Sequence, residues 1–103
     1  MLGDTKVIKF KDEELTVIER RYPNGRIALT IEDKDGMLYT KASVNIVDVS
    51  IKNDEIFIKD YDENDGILQL LLDNKIVSKP ITWVIMPFGQ KTPLCRYLGL
   101  NQW

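Results

Sequence analysis

The side chains best suited to chemistry lie in an acidic run, DYDEND, at residues 60–65. Oxygen ligands at alternating positions open the calcium-binding loop of EF-hand proteins. That loop requires glycine at its sixth position and a carboxylate at its twelfth, whereas this chain has Asp65 and Leu71 there. Paired carboxylates can also perform acid–base catalysis, but only in a cleft that shifts their pKa values. The run therefore predicts neither a metal site nor a catalytic pair.

The same acidic residues suit the beginning of a helix. Asp62, followed three residues later by Asp65, predicts an N-cap with a capping-box acceptor. Apolar residues then recur with helical spacing, as at Ile67 and Leu71, whereas the residues before the run alternate as in a strand. We therefore predict that a strand leads directly into the only helix, with Asp62 and Asp65 as its structural cap.

Catalytic chemistry is restricted by what the sequence lacks. It contains no histidine, which removes histidine general bases, Ser-His and Cys-His pairs and histidine metal ligands. Cys95 is the single cysteine. Its neighbour Arg96 could lower the thiol pKa, but a lone cysteine in an apolar strand usually packs as a small hydrophobic side chain. We therefore predict a protein that is not an enzyme and that uses no cofactor.

Charge is unevenly distributed along the chain. Residues 1–73 hold all 16 acidic residues, whereas residues 74–103 hold four cations and no acid. Such a division predicts a surface with an acidic and a basic side, provided that the fold keeps them apart. Nucleic-acid binding requires clustered cations interleaved with exposed aromatic rings. The cations here are sparse and most of the aromatic residues among them fall at core-like spacing, so nucleic acid is an unlikely partner.

Length and composition are those of a small globular protein. A chain of 103 residues, 44% hydrophobic and 29% charged, predicts one domain spanning residues 1–103. No segment approaches the roughly 18 apolar residues of a membrane span, and Asp4 and Lys6 interrupt the N-terminal segment. The single cysteine fits a reducing compartment. We therefore expect a cytoplasmic location and no membrane contact.

Apolar alternation predicts the fold class. Asn24-Gly25 predicts a hairpin with a type I′ turn, and a second turn is expected at Asp35-Gly36. The helix is followed by two further strands, joined by a loop in which Gly89 permits close backbone approach and Lys91 adds a charge. The result is an α+β domain: a twisted antiparallel sheet of about six or seven strands with one helix packed across it. The predicted strands are residues 5–10, 15–20, 27–32, 38–46, 55–59, 81–86 and 94–98.

Four blocks of the chain resemble a small uncharacterised protein family, a domain of unknown function found in bacteria and on their phages and mobile elements. The blocks are YPNGRIAL at 22–29, SVNI at 43–46, IKDYDENDG at 58–66 and PLCR at 93–96. In that family the third block usually reads Lys-(Asp/Asn)-Tyr-Ser-Glu-Asn-Glu-Gly, so Asp62 and Asp65 here replace a capping serine and glutamate. The resemblance carries no catalytic residues. It implies a genomic setting, that of phages and mobile elements, in which very small non-enzymatic proteins often antagonise host defence systems by binding an effector, and the expected cytoplasm is then that of the host bacterial cell.

Under that interpretation the chain is a non-catalytic phage or mobile-element binding protein. We expect it to inhibit a host defence effector, such as a CRISPR nuclease, by direct protein contact. Two alternatives stay open: a sponge that holds a nucleotide immune signal between the protomers of a homo-oligomer, and an accessory nucleic-acid-binding domain. The predicted protein-contact residues are Tyr61, Glu63 and Asn64, whose side chains capping does not use, together with Lys91 and Trp103.

Overall fold

The computed structural model describes residues 4–61 and 64–100. Within these ranges the chain forms eight strands and one helix. The elements are β1 (Thr5–Phe10), β2 (Glu13–Arg21), β3 (Ile27–Glu32), β4 (Leu38–Lys41), β5 (Ser43–Val44), β6 (Glu55–Ile58), α1 (Ile67–Asp73), β7 (Thr82–Ile85) and β8 (Lys91–Arg96). The strands pair into two antiparallel sheets of four, in the orders β1-β2-β3-β4 and β5-β6-β8-β7. No helix in these ranges has the length and apolar content needed to cross a bilayer.

The α+β class is confirmed, but the prediction of a single sheet of six or seven strands is wrong. The segment predicted as one strand over 38–46 divides at Ala42, between β4 in the first sheet and β5 in the second. Ala42 donates its N–H to the carbonyl of Leu29 and accepts from the N–H of Lys59, each at 2.9 Å. One buried residue thus bonds to both sheets, and a chain that changes sheets in this way forms the corner of a two-sheet domain.

A single core fills the space between the sheets and the helix. The buried face of α1 carries Ile67, Leu68 and Leu71, and these residues pack in one cluster with apolar residues of both sheets. Seven residues of helix would not be stable alone, since isolated helices shorter than about 12 residues are marginal in water. Burial of this apolar face therefore holds α1 in place. The sheet residues of the cluster are Ile8, Leu15, Val17, Ile27, Leu29, Ile31, Ile56, Ile58 and Cys95.

The Asn24-Gly25 hairpin forms a different turn from the predicted type I′. The N–H of Gly25 donates to the carbonyl of Tyr22, and the N–H of Tyr22 donates to the carbonyl of Arg26, both at 2.8 Å. Only Gly25 has positive φ (85°), so the loop is a type I turn closed by a G1 bulge, with Pro23 at its second position. The same pair of bonds closes the loops at 33–37 and 86–90.

Helix α1 begins later than the sequence predicted, and its cap is a different residue. The N-cap is Gly66, and the carboxylate of Asp60 accepts from the N–H groups of Gly66 and Leu68 at 3.0 Å each. Asp65 is exposed and precedes the N-cap, while Asp62 lies outside the described residues. Because the chain turns back after β6, Asp60, the first acid of the run, comes within hydrogen-bond distance of these two N–H groups. Its position in the sequence alone did not suggest this contact.

Replacement of Asp60 tests this cap. We expect Asp60→Ala to lower the free energy of unfolding by about 1–2 kcal/mol, because two helix-end N–H groups lose a charged acceptor. Asp65→Ala is the matched control and is expected to change it by less than about 0.5 kcal/mol, as an exposed surface substitution does. Urea unfolding followed by circular dichroism measures both, and equal effects would contradict the assignment.

Candidate protein-contact surface

Two of the predicted contact residues, Tyr61 and Lys91, lie at the hairpin that joins β7 to β8. The loop of this hairpin carries Phe88, whose ring meets the ring of Tyr61 edge-on, with centroids 6.3 Å apart and planes at 66°. Lys91 is exposed at the start of β8, three residues after Phe88. We call Tyr61, Phe88 and Lys91 the tip surface. The Tyr61–Phe88 contact connects the turn that follows β6 to the tip of the β7–β8 hairpin.

The tip surface is aromatic and basic. Phe88 is 68% exposed, which is unusual because burial of a phenyl ring is strongly favourable in free energy. The ammonium group of Lys59 lies 5.9 Å from the centroid of the Tyr61 ring, within cation–π range. Lys91 adds a second cation. The surface therefore combines apolar area with positive charge.

Asn64, the third contact residue proposed from the sequence, serves the fold. Its side chain is fully buried. The amide nitrogen donates to the carbonyl of Lys41 and the amide oxygen accepts from the hydroxyl of Thr40, each at 2.6 Å. These bonds fasten the turn before α1 to strand β4, so the amide is not available to a partner in this structure. The remaining predicted contact residues, Glu63 and Trp103, lie outside the described residues.

Sequence reasoning missed a second exposed apolar region, on strand β7. Trp83 and Ile85 were assigned to a strand with core-like spacing, yet they are 49% and 69% exposed. Together with Lys91, which lies opposite Ile85 on β8, they line an open groove of about 500 Å³. Strand β7 is apolar on both faces, because Val84 lies between these two residues. Periodicity could identify the strand but could not tell which face another element would cover.

Residues of the first two motif blocks bind one another. The hydroxyl of Tyr22 lies 2.8 Å from that of Ser43, which also accepts from the N–H of Leu29 at 3.0 Å. Burial raises the pKa of Tyr22, although its hydrogen bond to Ser43 acts in the opposite direction. The guanidinium of Arg26 donates to the carbonyls of Ile46 and Val49 at 2.7 and 2.6 Å. These blocks therefore hold the 45–50 loop and the sheet junction in place.

The single thiol is not an activated nucleophile. Cys95 is fully buried in the core, and burial, reinforced by the charge of Asp60, raises its pKa to about 12. The cysteine packs as the small hydrophobic side chain that the sequence predicted, and the neighbouring Arg96 side chain is exposed and pairs with the carboxylate of Asp54 at 3.3 Å. Adjacent residues of a strand point to opposite faces, which separates the guanidinium from the thiol.

Alkylation of Cys95 tests whether the folded protein protects its thiol. At pH 8 the native protein is expected to react with iodoacetamide far more slowly than the urea-unfolded chain, because the protected thiol contributes almost no thiolate. Mass spectrometry of the alkylated protein measures both rates. Arg96→Ala should leave the native rate unchanged if the protein remains folded. A native rate comparable with that of the unfolded chain would contradict the assignment.

Tyr97 fastens the C-terminal part of the chain to the first sheet. Its hydroxyl donates to the carboxylate of Glu19 on β2 at 2.6 Å. Burial first, and then the hydrogen bond and charge of Glu19, raise the pKa of Tyr97 above its ordinary value. The folded chain therefore keeps this proton at pH values where the unfolded chain releases it.

This difference predicts a pH dependence of stability. Because the pKa of Tyr97 is raised on folding, its contribution is complete below the unfolded value of about 10 and is lost as pH rises beyond it, by about 1.4 kcal/mol per pH unit. Tyr97→Phe should lower stability by about 1–2 kcal/mol at pH 7 through loss of the bond to Glu19. Denaturant titrations at pH 7 and pH 11 should therefore show a smaller penalty at pH 11. An equal penalty at both would contradict this account.

Acidic residues gather at the turns between β1 and β2 and between β3 and β4. Five of them line an open cavity of about 390 Å³ together with Lys34: Asp12, Glu13, Glu14, Asp33 and Asp35. Within residues 4–61 and 64–100, no three histidine, cysteine, aspartate or glutamate side chains are arranged to hold a metal ion.

Comparison of the chain with protein-family models, with curated proteins and with solved structures finds no match. What the chain binds must therefore be inferred from its own surface.

Proposed function

We propose that this chain is a non-catalytic binding protein, of the kind encoded by phages and other mobile elements, which inhibits a host defence effector by direct protein contact. The mode of action is supported by the tip surface, and the class of target by the resemblance of the four motif blocks. A CRISPR nuclease is the defence effector that we would test first. The host bacterial cytoplasm is the corresponding location.

The observation that carries the proposal is the aromatic pair of the tip surface, in which Phe88 is exposed and Tyr61 is half-buried. Tyrosine is enriched among the residues that contribute most to protein–protein binding, and contiguous exposed apolar area is one of the marks of an interaction site. Phe88 and Tyr61 support each other through their edge contact, so little side-chain entropy would be lost when a partner covers them.

Charge indicates what the target surface should offer. Lys91 is exposed three residues after Phe88 in the chain, and the ammonium group of Lys59 lies 5.9 Å from the centroid of the Tyr61 ring. A target that places carboxylates around an apolar depression would match both features, and the rim charges would speed association. Two cations are few for a surface that binds nucleic acid, which needs a cluster of them, so we favour a protein target.

The chemistry of the chain is consistent with binding alone. The sequence contains no histidine, and Cys95 is buried in its protonated form. The side chains of the tip surface are a phenol, a phenyl ring and an ammonium group. These groups can bind a partner through non-covalent contacts alone. Such a surface would inhibit the target only while it is bound to it. The degree of inhibition would therefore follow the ratio of inhibitor to target.

A cleavage assay tests the proposal. The purified protein is titrated into DNA cleavage reactions of a panel of guide-loaded CRISPR nucleases, and we expect at least one to lose activity at near-equimolar inhibitor. Phe88→Ser and Lys91→Glu should each raise the half-inhibitory concentration at least about tenfold, as loss of a contact worth about 1.4 kcal/mol would. Val47→Ser and Lys34→Glu are matched controls, because both residues are exposed and lie outside the tip surface.

Two outcomes would contradict the proposal. If no nuclease in the panel is inhibited, the CRISPR nuclease is removed as the target. If inhibition occurs but the tip variants and the controls behave alike, with unchanged melting temperatures, the tip surface is removed as the contact site.

A further inference from the structure

The outer edge of β7 has unpaired backbone groups. In the hairpin with β8, the N–H of Met86 donates to the carbonyl of Gln90 at 2.8 Å. Because backbone groups of an antiparallel strand point alternately to either side, Val84 also bonds toward β8, while the N–H and C=O of Trp83 and Ile85 point to the opposite edge. The second sheet ends at β7, and no strand of the described chain pairs with that edge.

This edge also lacks the features that usually prevent strand association. Proteins protect exposed edges with lysine, proline, bulges or very short strands. The edge strand β1 carries Lys6 and Lys9, β4 carries Lys41, and β5 has only two residues. Strand β7, with the sequence TWVI, has no charged residue and no proline. Its exposed apolar side chains, Trp83 and Ile85, lie on one face.

We infer that β7 pairs antiparallel with the β7 strand of a second copy of this chain, about a two-fold axis through Val84. The register follows from the free groups: Trp83 of each copy exchanges two hydrogen bonds with Ile85 of the other, so four bonds form. The four-stranded sheet β5-β6-β8-β7 of one copy and the same sheet of the other copy become one sheet of eight strands. The arrangement is self-complementary, as a two-fold interface requires.

Side-chain chemistry agrees with this register. Each indole of Trp83 comes to lie beside an Ile85 side chain, and aromatic with β-branched neighbours are favourable cross-strand pairs. The groove that Trp83, Ile85 and Lys91 line is thereby covered from one side.

Electrostatic repulsion does not oppose the pairing. Strand β7 itself is uncharged, and the nearest cation of the groove, Lys91, lies on β8. The two Lys91 residues of the dimer would be separated by three strand spacings, or about 14 Å. That distance exceeds the Debye length of about 8 Å at physiological ionic strength.

The area of the interface sets its strength. The half-exposed and exposed side chains Ile81, Trp83 and Ile85 offer on the order of 300 Å² per copy, judged from the 150–250 Å² of a fully buried aromatic side chain. Two copies with their strand backbones would bury less than about 1,000 Å², which is the area of a weak interface. We therefore expect a dimer that dissociates in the micromolar range. This dimer does not depend on the proposed function, and it would carry two copies of the tip surface.

Sedimentation equilibrium between about 10 µM and 1 mM, concentrations that bracket a micromolar dissociation constant, tests the inference. The average mass is expected to rise from 11.9 kDa toward twice that value. Ile85→Pro removes an outward N–H without removing a bond to β8, and it should keep the protein monomeric throughout. Val7→Pro is the matched control: Val7 is also an exposed β-branched residue, and its N–H points outward on the edge strand β1. This variant should associate like the unmodified chain.

Fluorescence gives a second measurement. With Trp103→Phe, Trp83 is the only tryptophan of the chain, and its emission maximum should move to shorter wavelength as the concentration rises. A wild-type protein that stays monomeric at 1 mM would overturn the inference, and so would association that survives Ile85→Pro with the native circular dichroism spectrum retained. Association abolished by Val7→Pro instead would assign the interface to β1.

Discussion

The two sheets are held together by the backbone of Ala42, on which the rest of the structure depends. Its N–H bonds to β3 and its carbonyl bonds to the segment after β6, each at 2.9 Å. A buried peptide group cannot be left unpaired without a large free-energy cost, so the chain must bring both partners to this one residue. Ser43 and Asn64 complete the junction with side-chain bonds to Leu29, Thr40 and Lys41. The position of α1, and hence of the tip surface, follows from this junction.

This arrangement gives the motif blocks a structural meaning. Tyr22, Arg26 and Ser43 bond within and between the first two blocks, and Asn64 of the third block bonds to β4. Side chains used in this way are rigid and mostly buried. The side chains left for binding are therefore those that the junction does not use, and Phe88 and Lys91 of the β7–β8 hairpin are among them.

The two proposed surfaces differ in what they offer a partner. The tip surface offers aromatic rings and cations, which suit a partner with its own acidic rim. The edge of β7 offers backbone groups and uncharged side chains, which suit another strand. Among the edge strands of the described chain that are longer than two residues, β7 is the exception without lysine or proline, since β1 and β4 both carry lysine. The contrast between the edges supports a role for β7 in association.

The sequence alone determined the α+β class, most strand positions and the helix, because apolar periodicity and turn residues are local signals. It also determined that no histidine chemistry is available, and it placed Tyr61 and Lys91 among the candidate residues. Only the tertiary structure decided that the sheet divides at Ala42, that Asp60 caps the helix and that Asn64 is buried. It likewise decided that the Trp83 face of β7 is open. Each of these depends on which distant segment lies opposite a residue, and a periodic pattern records that a face is apolar but not what covers it.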